Sequence, residues 1–206
     1  MFGFFHRKKS DDTPAVTSTS TVKEMENMNE YYEITIAGCT RKLKKFAVND
    51  KIDIAAFILF GDVEITEKSA EALLAKLPEF DLILTPEAKS IPLAYEMSRQ
   101  SGKKYIVARK GLKVYMGNAI SVDDQSITTQ GLQKLYLGED EAAELKGKRV
   151  VVLDDVISTG GSLQAAVALA EQAGADIVAK CAVLAEGDAS KRDDIIVLGD
   201  LPLFFK

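Results

Sequence analysis

Residues 150–162 read VVVLDDVISTGGS. An apolar run, Val150 to Leu153, leads directly into Asp154 and Asp155, and a Thr-Gly-Gly-Ser turn follows after Val156, Ile157 and Ser158. A continuous apolar run of this length reads as a strand buried on both faces, and the Ser/Thr/Gly cluster beyond it reads as the entry to a helix. A helix N-terminus presents unpaired backbone N–H groups and a partial positive charge, which suit a phosphate. Carboxylates and phosphates repel, so a ligand that satisfies both halves carries hydroxyls as well as a phosphate, with a divalent cation in attendance. Ionised Asp154 and Asp155 are acceptors only, and fit two vicinal hydroxyls or a hydrated Mg²⁺. Gly160 and Gly161 let the backbone close on the anion, and Ser158, Thr159 and Ser162 add hydroxyls. No lysine completes a G-x-x-x-x-G-K-[ST] loop, and there is no G-x-G-x-x-G turn, so the stretch suits a phosphate monoester such as a ribose 5-phosphate.

Outward from this stretch the chain alternates strands and helices. Asp81–Thr85 (DLILT) reads as a short buried strand, a helix follows from Ser90 with Pro92 in its first turn, and Lys104–Ala108 is another strand. Residues 111–131 are polar and poorly periodic. After the strand 149–153, a helix starts at Ser162 with Leu163, Ala166, Val167 and Ala170 on one face and Gly174 at its close. Strands over 177–184 and 194–198 complete the series. Upstream, YYEITIAG, KLKKFAV and AAFILF read as short strands, and Thr66 as the N-cap of a helix carrying Ala70, Leu73, Leu74 and Leu77 up to Pro78.

This order predicts an α/β fold: a doubly wound, mostly parallel sheet with helices on both faces. Ligands in such sheets bind at the carboxyl ends of the strands. Glu87, Ala88, Lys89 and Ser90 follow one strand, and Arg109 and Lys110 follow another, so both groups converge with the Asp pair on one crevice. Residues 10–30 lack apolar periodicity, which makes 1–30 a polar, disordered tail and 31–206 the domain.

The composition narrows the functional classes. With 206 residues, 47% hydrophobic content and a formal net charge of −5, the chain suits one globular domain without the broad basic surface of a nucleic-acid binder. Cys39, Cys181 and the sole histidine, His6, show no metal-ligand spacing, which argues against zinc and against Ser-His or Cys-His catalysis. The apolar run Met1–Phe5 precedes the basic residues, and no run approaches the roughly 20 apolar residues of a membrane span. A cytoplasmic protein away from the membrane is expected.

The stretch 150–162 resembles the phosphoribosyl pyrophosphate (PRPP) signature of type I phosphoribosyltransferases. LTPEAKSIPLA (84–94) is similar to the pyrophosphate-binding loop of the adenine phosphoribosyltransferases in that family. VARKGLK (107–113) resembles the segment that opens their mobile catalytic loop, and FILFGDVEITEKSAEALL (57–74) the stretch around their Phe-Arg-Asp-Ile. The resemblance implies a Mg²⁺-dependent transfer of the phosphoribosyl group from PRPP to a purine base, adenine first, by a homodimer. It further implies that Asp154 and Asp155 hold the ribose hydroxyls and, through water, the metal, and that Ser158 to Ser162 hold the 5-phosphate. Glu87, Ala88, Lys89, Ser90, Arg109 and Lys110 would meet pyrophosphate, with Lys113 as a further catalytic cation. Loop 111–131 would close as a lid. Residues 31–62 would form a small N-terminal hood over the base, with Phe60 and Gly61 at the base site. Lys89 stands where the family usually has arginine, Gly61 replaces the arginine of Phe-Arg-Asp-Ile, and the glutamate beyond the mobile loop has no counterpart before Glu139. A PRPP-sensing regulator on the same fold, or an enzyme for xanthine or orotate, remains open at this point.

Overall fold

In the computed structural model, which describes residues 30–124 and 133–206, the chain enters through three antiparallel strands. They are β1 (Tyr31–Ile36), β2 (Cys39–Ala47) and β3 (Ile52–Ala55). The expected tail lies outside the described residues except for Glu30, as does the 125–131 part of the expected lid. Next come α1 (Val63–Leu74), β4 (Leu82–Pro86), α2 (Ile91–Ser101) and β5 (Lys104–Ala108). A hairpin of β6 (Ile120–Asp124) and β7 (Gln133–Leu137) leads to the short α3 (Glu139–Leu145). The second half is β8 (Arg149–Ile157), α4 (Gly161–Gln172), β9 (Asp176–Glu186), a 3₁₀ turn over Gly187–Lys191, β10 (Gly199–Leu201) and β11 (Phe204–Phe205).

The central sheet has the order β10-β9-β8-β4-β5 with every pair parallel. From β4 the chain winds to β5 at one edge, and from β8 it winds through β9 to β10 at the other. The direction of winding therefore reverses between β4 and β8, which is where an open α/β sheet forms its crevice. Successive side chains of β8 serve opposite faces. Val151 and Leu153 pack with Ile83, Leu73, Leu93 and Met97 under α1 and α2. Val150 and Val152 pack with Leu82, Leu84, Leu163 and Leu169 under α4 and the hairpin. At the amino ends of the strands, Asp81 clips β4 to β8: its carboxylate accepts from the Arg149 backbone N–H at 3.0 Å and from Nη2 at 2.8 Å. The Arg149 guanidinium holds the Asp81 carboxyl well below the usual range.

The C-terminus returns to the first sheet, whose order is β1-β2-β3-β11, and Phe204 packs edge-on against Tyr32 with ring centroids 5.3 Å apart. Arg41 of β2 fastens this sheet to α1, donating to Asp62 at 2.6 and 2.8 Å and to Glu64 at 2.9 Å.

Several boundaries differ from the sequence reading. Asp62, not Thr66, caps α1 by accepting from the Ile65 N–H, and Thr66 lies inside the helix with its hydroxyl donating to the Asp62 carbonyl. Of AAFILF only Ala55 is in a strand; residues 56–59 run irregularly under the antiparallel sheet. The expected strand 194–198 reduces to a single bridge at Ile196, and pairing resumes at Gly199–Leu201.

The expected lid 111–131 also contains a strand, β6. Its partner β7 buries Leu135 and Leu137 completely against α4 and β5. Leu135→Ala should therefore cost about 2–5 kcal/mol in urea denaturation, as for a packed core leucine. A loss below about 0.5 kcal/mol, the surface norm, would mean that the hairpin is a loose flap.

Candidate functional site

β8 does not stop at Leu153; it carries Asp154 and Asp155 into the crevice, where they are only 9% and 2% exposed. The Asp155 backbone N–H donates to Asp154 Oδ1 at 2.9 Å. Burial, and then the Asp155 charge beside it, push the Asp154 carboxyl well above its ordinary range. From across the crevice Lys89 Nζ approaches Asp155 Oδ2 to 2.8 Å. That contact is ionic and lacks hydrogen-bond direction, so Oδ2 remains a buried acceptor without a hydrogen-bond donor among the described residues. Two carboxylates thus share one exposed ammonium.

The loop after β4 is braced to aim that ammonium. Thr85 Oγ1 lies 2.7 Å from Ser90 Oγ and 3.0 Å from the Leu153 carbonyl, and Ser90 Oγ donates to the Pro86 carbonyl. A cis peptide joins Glu87 to Ala88. The Glu87 carboxylate accepts from the Lys110 N–H at 2.8 Å and faces Arg109 Nε at 3.4 Å, tying the loop after β5 to the loop after β4.

Beyond the carboxylates the backbone turns through Gly160, at φ +81°, into the first turn of α4. A side chain at Gly160 would need the left-handed region and would place its Cβ 2.9 Å from Arg192 Nη1. Asp194 holds that guanidinium through Nε and Nη2, and Lys180 pairs with the same carboxylate. Asp194 thus holds the Arg192 guanidinium beside a glycine loop that has no lysine of its own.

These parts meet in one cavity of about 440 Å³. Of the residues expected at the site, it gathers Asp154, Asp155, Ser158 to Ser162, Glu87, Ala88, Lys89 and Lys110. Ser90 is buried behind the loop as a brace, and Arg109 stands back against Glu87. Lys113 is exposed, its N–H donating to Met116 Sδ, and does not line the cavity. Phe60 and Gly61 are exposed at the turn into α1 and do not line it either; the end of β3 and the irregular segment after it contribute Ile54 to Ile58 instead. The sequence reading missed three contributors. Glu186 ends β9 in the cavity, Leu201 of β10 lies beside it, and Arg192 stands behind Gly160. Glu186 reaches the site through the pairing of β9 with β8, Leu201 through that of β10 with β9, and Arg192 by packing beside Gly160, and none carries a local signal.

Comparison with known proteins agrees with this architecture. The chain is 37% identical over 112 residues to a hypoxanthine/guanine phosphoribosyltransferase of Methanococcus voltae, covering 54% of this chain and 56% of the relative. It is 33% identical over 100 residues to an adenine phosphoribosyltransferase of Thermotoga petrophila, covering 48% and 56%. The matched segments thus span little more than half the length of these relatives. The fold matches the adenine phosphoribosyltransferase of Saccharomyces cerevisiae, solved with adenine, at TM-score 0.62 and 19% identity over 87% of this chain and 97% of that one. It matches the enzyme of Thermoanaerobacter pseudethanolicus at TM-score 0.58 and 23% identity, over 86% and 99%. Residues 63–199, from the start of α1 to the start of β10, match the model of the phosphoribosyl transferase domain, and the chain belongs to that family.

Proposed function

We propose that this chain transfers the phosphoribosyl group of PRPP to a purine base, adenine first, releasing pyrophosphate. One observation carries the reading: a single cavity joins the buried Asp154–Asp155 pair, the glycine loop at the N-terminus of α4, and Lys89 opposite them. Relatives named for adenine and for hypoxanthine/guanine support a purine.

In the reaction the C1–oxygen bond to pyrophosphate breaks as a ring nitrogen of the base bonds to C1, and the ring N–H proton of the base passes to the pyrophosphate or to water. Positive charge gathers on the ribose and negative charge on the leaving group, so catalysis is electrostatic and positional. Asp154 and Asp155 take the ribose hydroxyls and lie under the developing cation. The N–H groups at the start of α4, with Ser158, Thr159 and Ser162, take the 5-phosphate. Lys89 leaves Asp155 for the pyrophosphate, and Lys110, Arg109 and Lys113 add charge as the segment after β5 closes, excluding the water that would capture the cation. The orphaned Oδ2 of Asp155 and its acidic neighbour fit a hydrated divalent cation, which would supply charge neutralisation to the pyrophosphate oxygens when bound. A homodimer in the cytoplasm completes the reading.

A pyrophosphate-release assay with PRPP, Mg²⁺ and adenine, hypoxanthine or guanine tests it. Release with one base far ahead of the others is expected. Tight PRPP binding without release for any base, xanthine and orotate included, would replace the enzyme with a PRPP sensor.

Gly160→Ala should weaken PRPP binding and cost about 1–2 kcal/mol of stability, because the left-handed backbone penalises a Cβ. Unchanged KM for PRPP would reduce the glycine loop to a plain turn.

Asp154→Asn should separate function from stability. Losing a charged acceptor for a ribose hydroxyl costs about 1.5–3 kcal/mol of PRPP binding. The folded Asp154 titrates above its unfolded value, so folding takes up a proton between the two, and stability falls as pH rises through that window. The variant should be more stable than the parent at neutral pH, with the gain vanishing below about pH 4, the unfolded aspartate range. Denaturant melts across pH read this directly, and a variant less stable at neutral pH would mean that the carboxylate is structural.

A further inference from the structure

Glu186 is a cavity carboxylate that none of the roles above uses. It ends β9 half-buried, and among the described residues it makes no hydrogen bond or close ion pair; burial raises its carboxyl, with Lys89 acting the other way. Its position follows from the strand order. Along the carboxyl edge of the sheet stand the Lys89 loop after β4, the Asp pair of β8, then Glu186 of β9 and Leu201 of β10, which are register partners. Displacement at C1 brings the incoming atom to the side opposite the leaving group. With pyrophosphate over β4 and ribose over β8, the base lies over β9 and β10. There Leu201 and the segment Ile54–Ile58 supply apolar surface for the faces of a flat ring.

We infer that Glu186 is a specificity-determining residue whose carboxylate accepts a hydrogen bond from an exocyclic amino group of the purine, so that the cavity takes aminopurines ahead of hypoxanthine. The inference rests on the phosphoribosyl-transfer reading. An ionised carboxylate only accepts, so it attracts an amino group and repels a keto oxygen held in the same place. Hypoxanthine puts a keto oxygen where adenine has its amino group and a bare C–H where guanine has its own, so in either pose the half-buried acceptor is left without a donor, which is how a polar site rejects an analogue.

Titration calorimetry at about pH 8, above the ordinary carboxylate range, tests this without turnover. The ligands are adenosine, guanosine and inosine 5′-monophosphates and ribose 5-phosphate, each against the parent and Glu186→Gln. The parent should bind the adenosine or guanosine nucleotide about 10–100-fold more tightly than the inosine one. In Glu186→Gln, whose amide can present either a donor or an acceptor, the preference should shrink to about threefold or less. Ribose 5-phosphate should bind both proteins alike, which also shows that the variant is folded. Ribose 5-phosphate binding without preference in the parent, or a preference that survives Glu186→Gln, overturns the inference alone. Failure of the parent to bind any of the four ligands overturns the phosphoribosyl-transfer reading and this inference with it.

Discussion

Asp154 and Asp155 are adjacent carboxylates buried at the end of a central strand, with Lys89 the ammonium held against them. Removing ionised groups from water costs several kcal/mol per ion, and a single partner across the gap offsets only part of that. The rest of the structure keeps this arrangement in place. β8 has a neighbouring strand on each side and packed side chains on both faces. The Asp81–Arg149 clip fixes the far end of the β4–β8 seam, and the Thr85–Ser90–Leu153 contacts fix the near end. A strand so constrained cannot turn its carboxylates out to solvent. The cost of burying the pair is therefore held in the site, where, in the proposed function, ribose hydroxyls and a cation would relieve it.

The seam between β4 and β8 also explains why segments far apart in the chain meet. Winding reverses there, so no crossover covers the carboxyl ends of the two strands, and the loops that leave them diverge around an open crevice. The loop after β4 brings Lys89, the loop after β8 brings the glycine turn, and Glu87 ties the segment after β5 to the first of these. The antiparallel sheet is held to α1 by Arg41 and closed by β11, and the end of its β3 with the segment that follows lines the same opening with Ile54 to Ile58.

The legibility of each part in the sequence follows its burial. β4 and β8 are covered on both faces, so their apolar runs are continuous and stand out. Asp154, Asp155 and the glycine loop lie within one continuous stretch, and Glu87 to Ser90 directly follow a readable strand. The hairpin was hidden because β6 has a weak alternation, ISVDD, and the tight burial lies on its partner. The α1 cap was misplaced because Thr66 and Asp62 are both good capping residues, and only the fold shows which one meets a free N–H. Glu186 owes its place to the register of β9 on β8 and β10, and Arg192 owes its place to packing over Gly160. Both relations are long-range, and local sequence does not encode them.

Charge is ordered along the crevice, and the order matches the chemistry of displacement at an anomeric carbon. The β4 and β5 ends carry Lys89, Arg109 and Lys110 against the single carboxylate of Glu87, the β8 end carries two carboxylates, and the β9 end carries Glu186 with apolar surface around it. In the proposed transfer a departing anion would be drawn toward the cations, and the cation left on the ribose would lie above the carboxylates. An incoming base with donor groups would meet an acceptor. If the order were reversed, the leaving group would depart against negative charge and the base would bring its N–H groups to an ammonium. In the proposed transfer the polarity of the crevice would give the displacement a direction, with pyrophosphate leaving toward β4 and the base entering from β9.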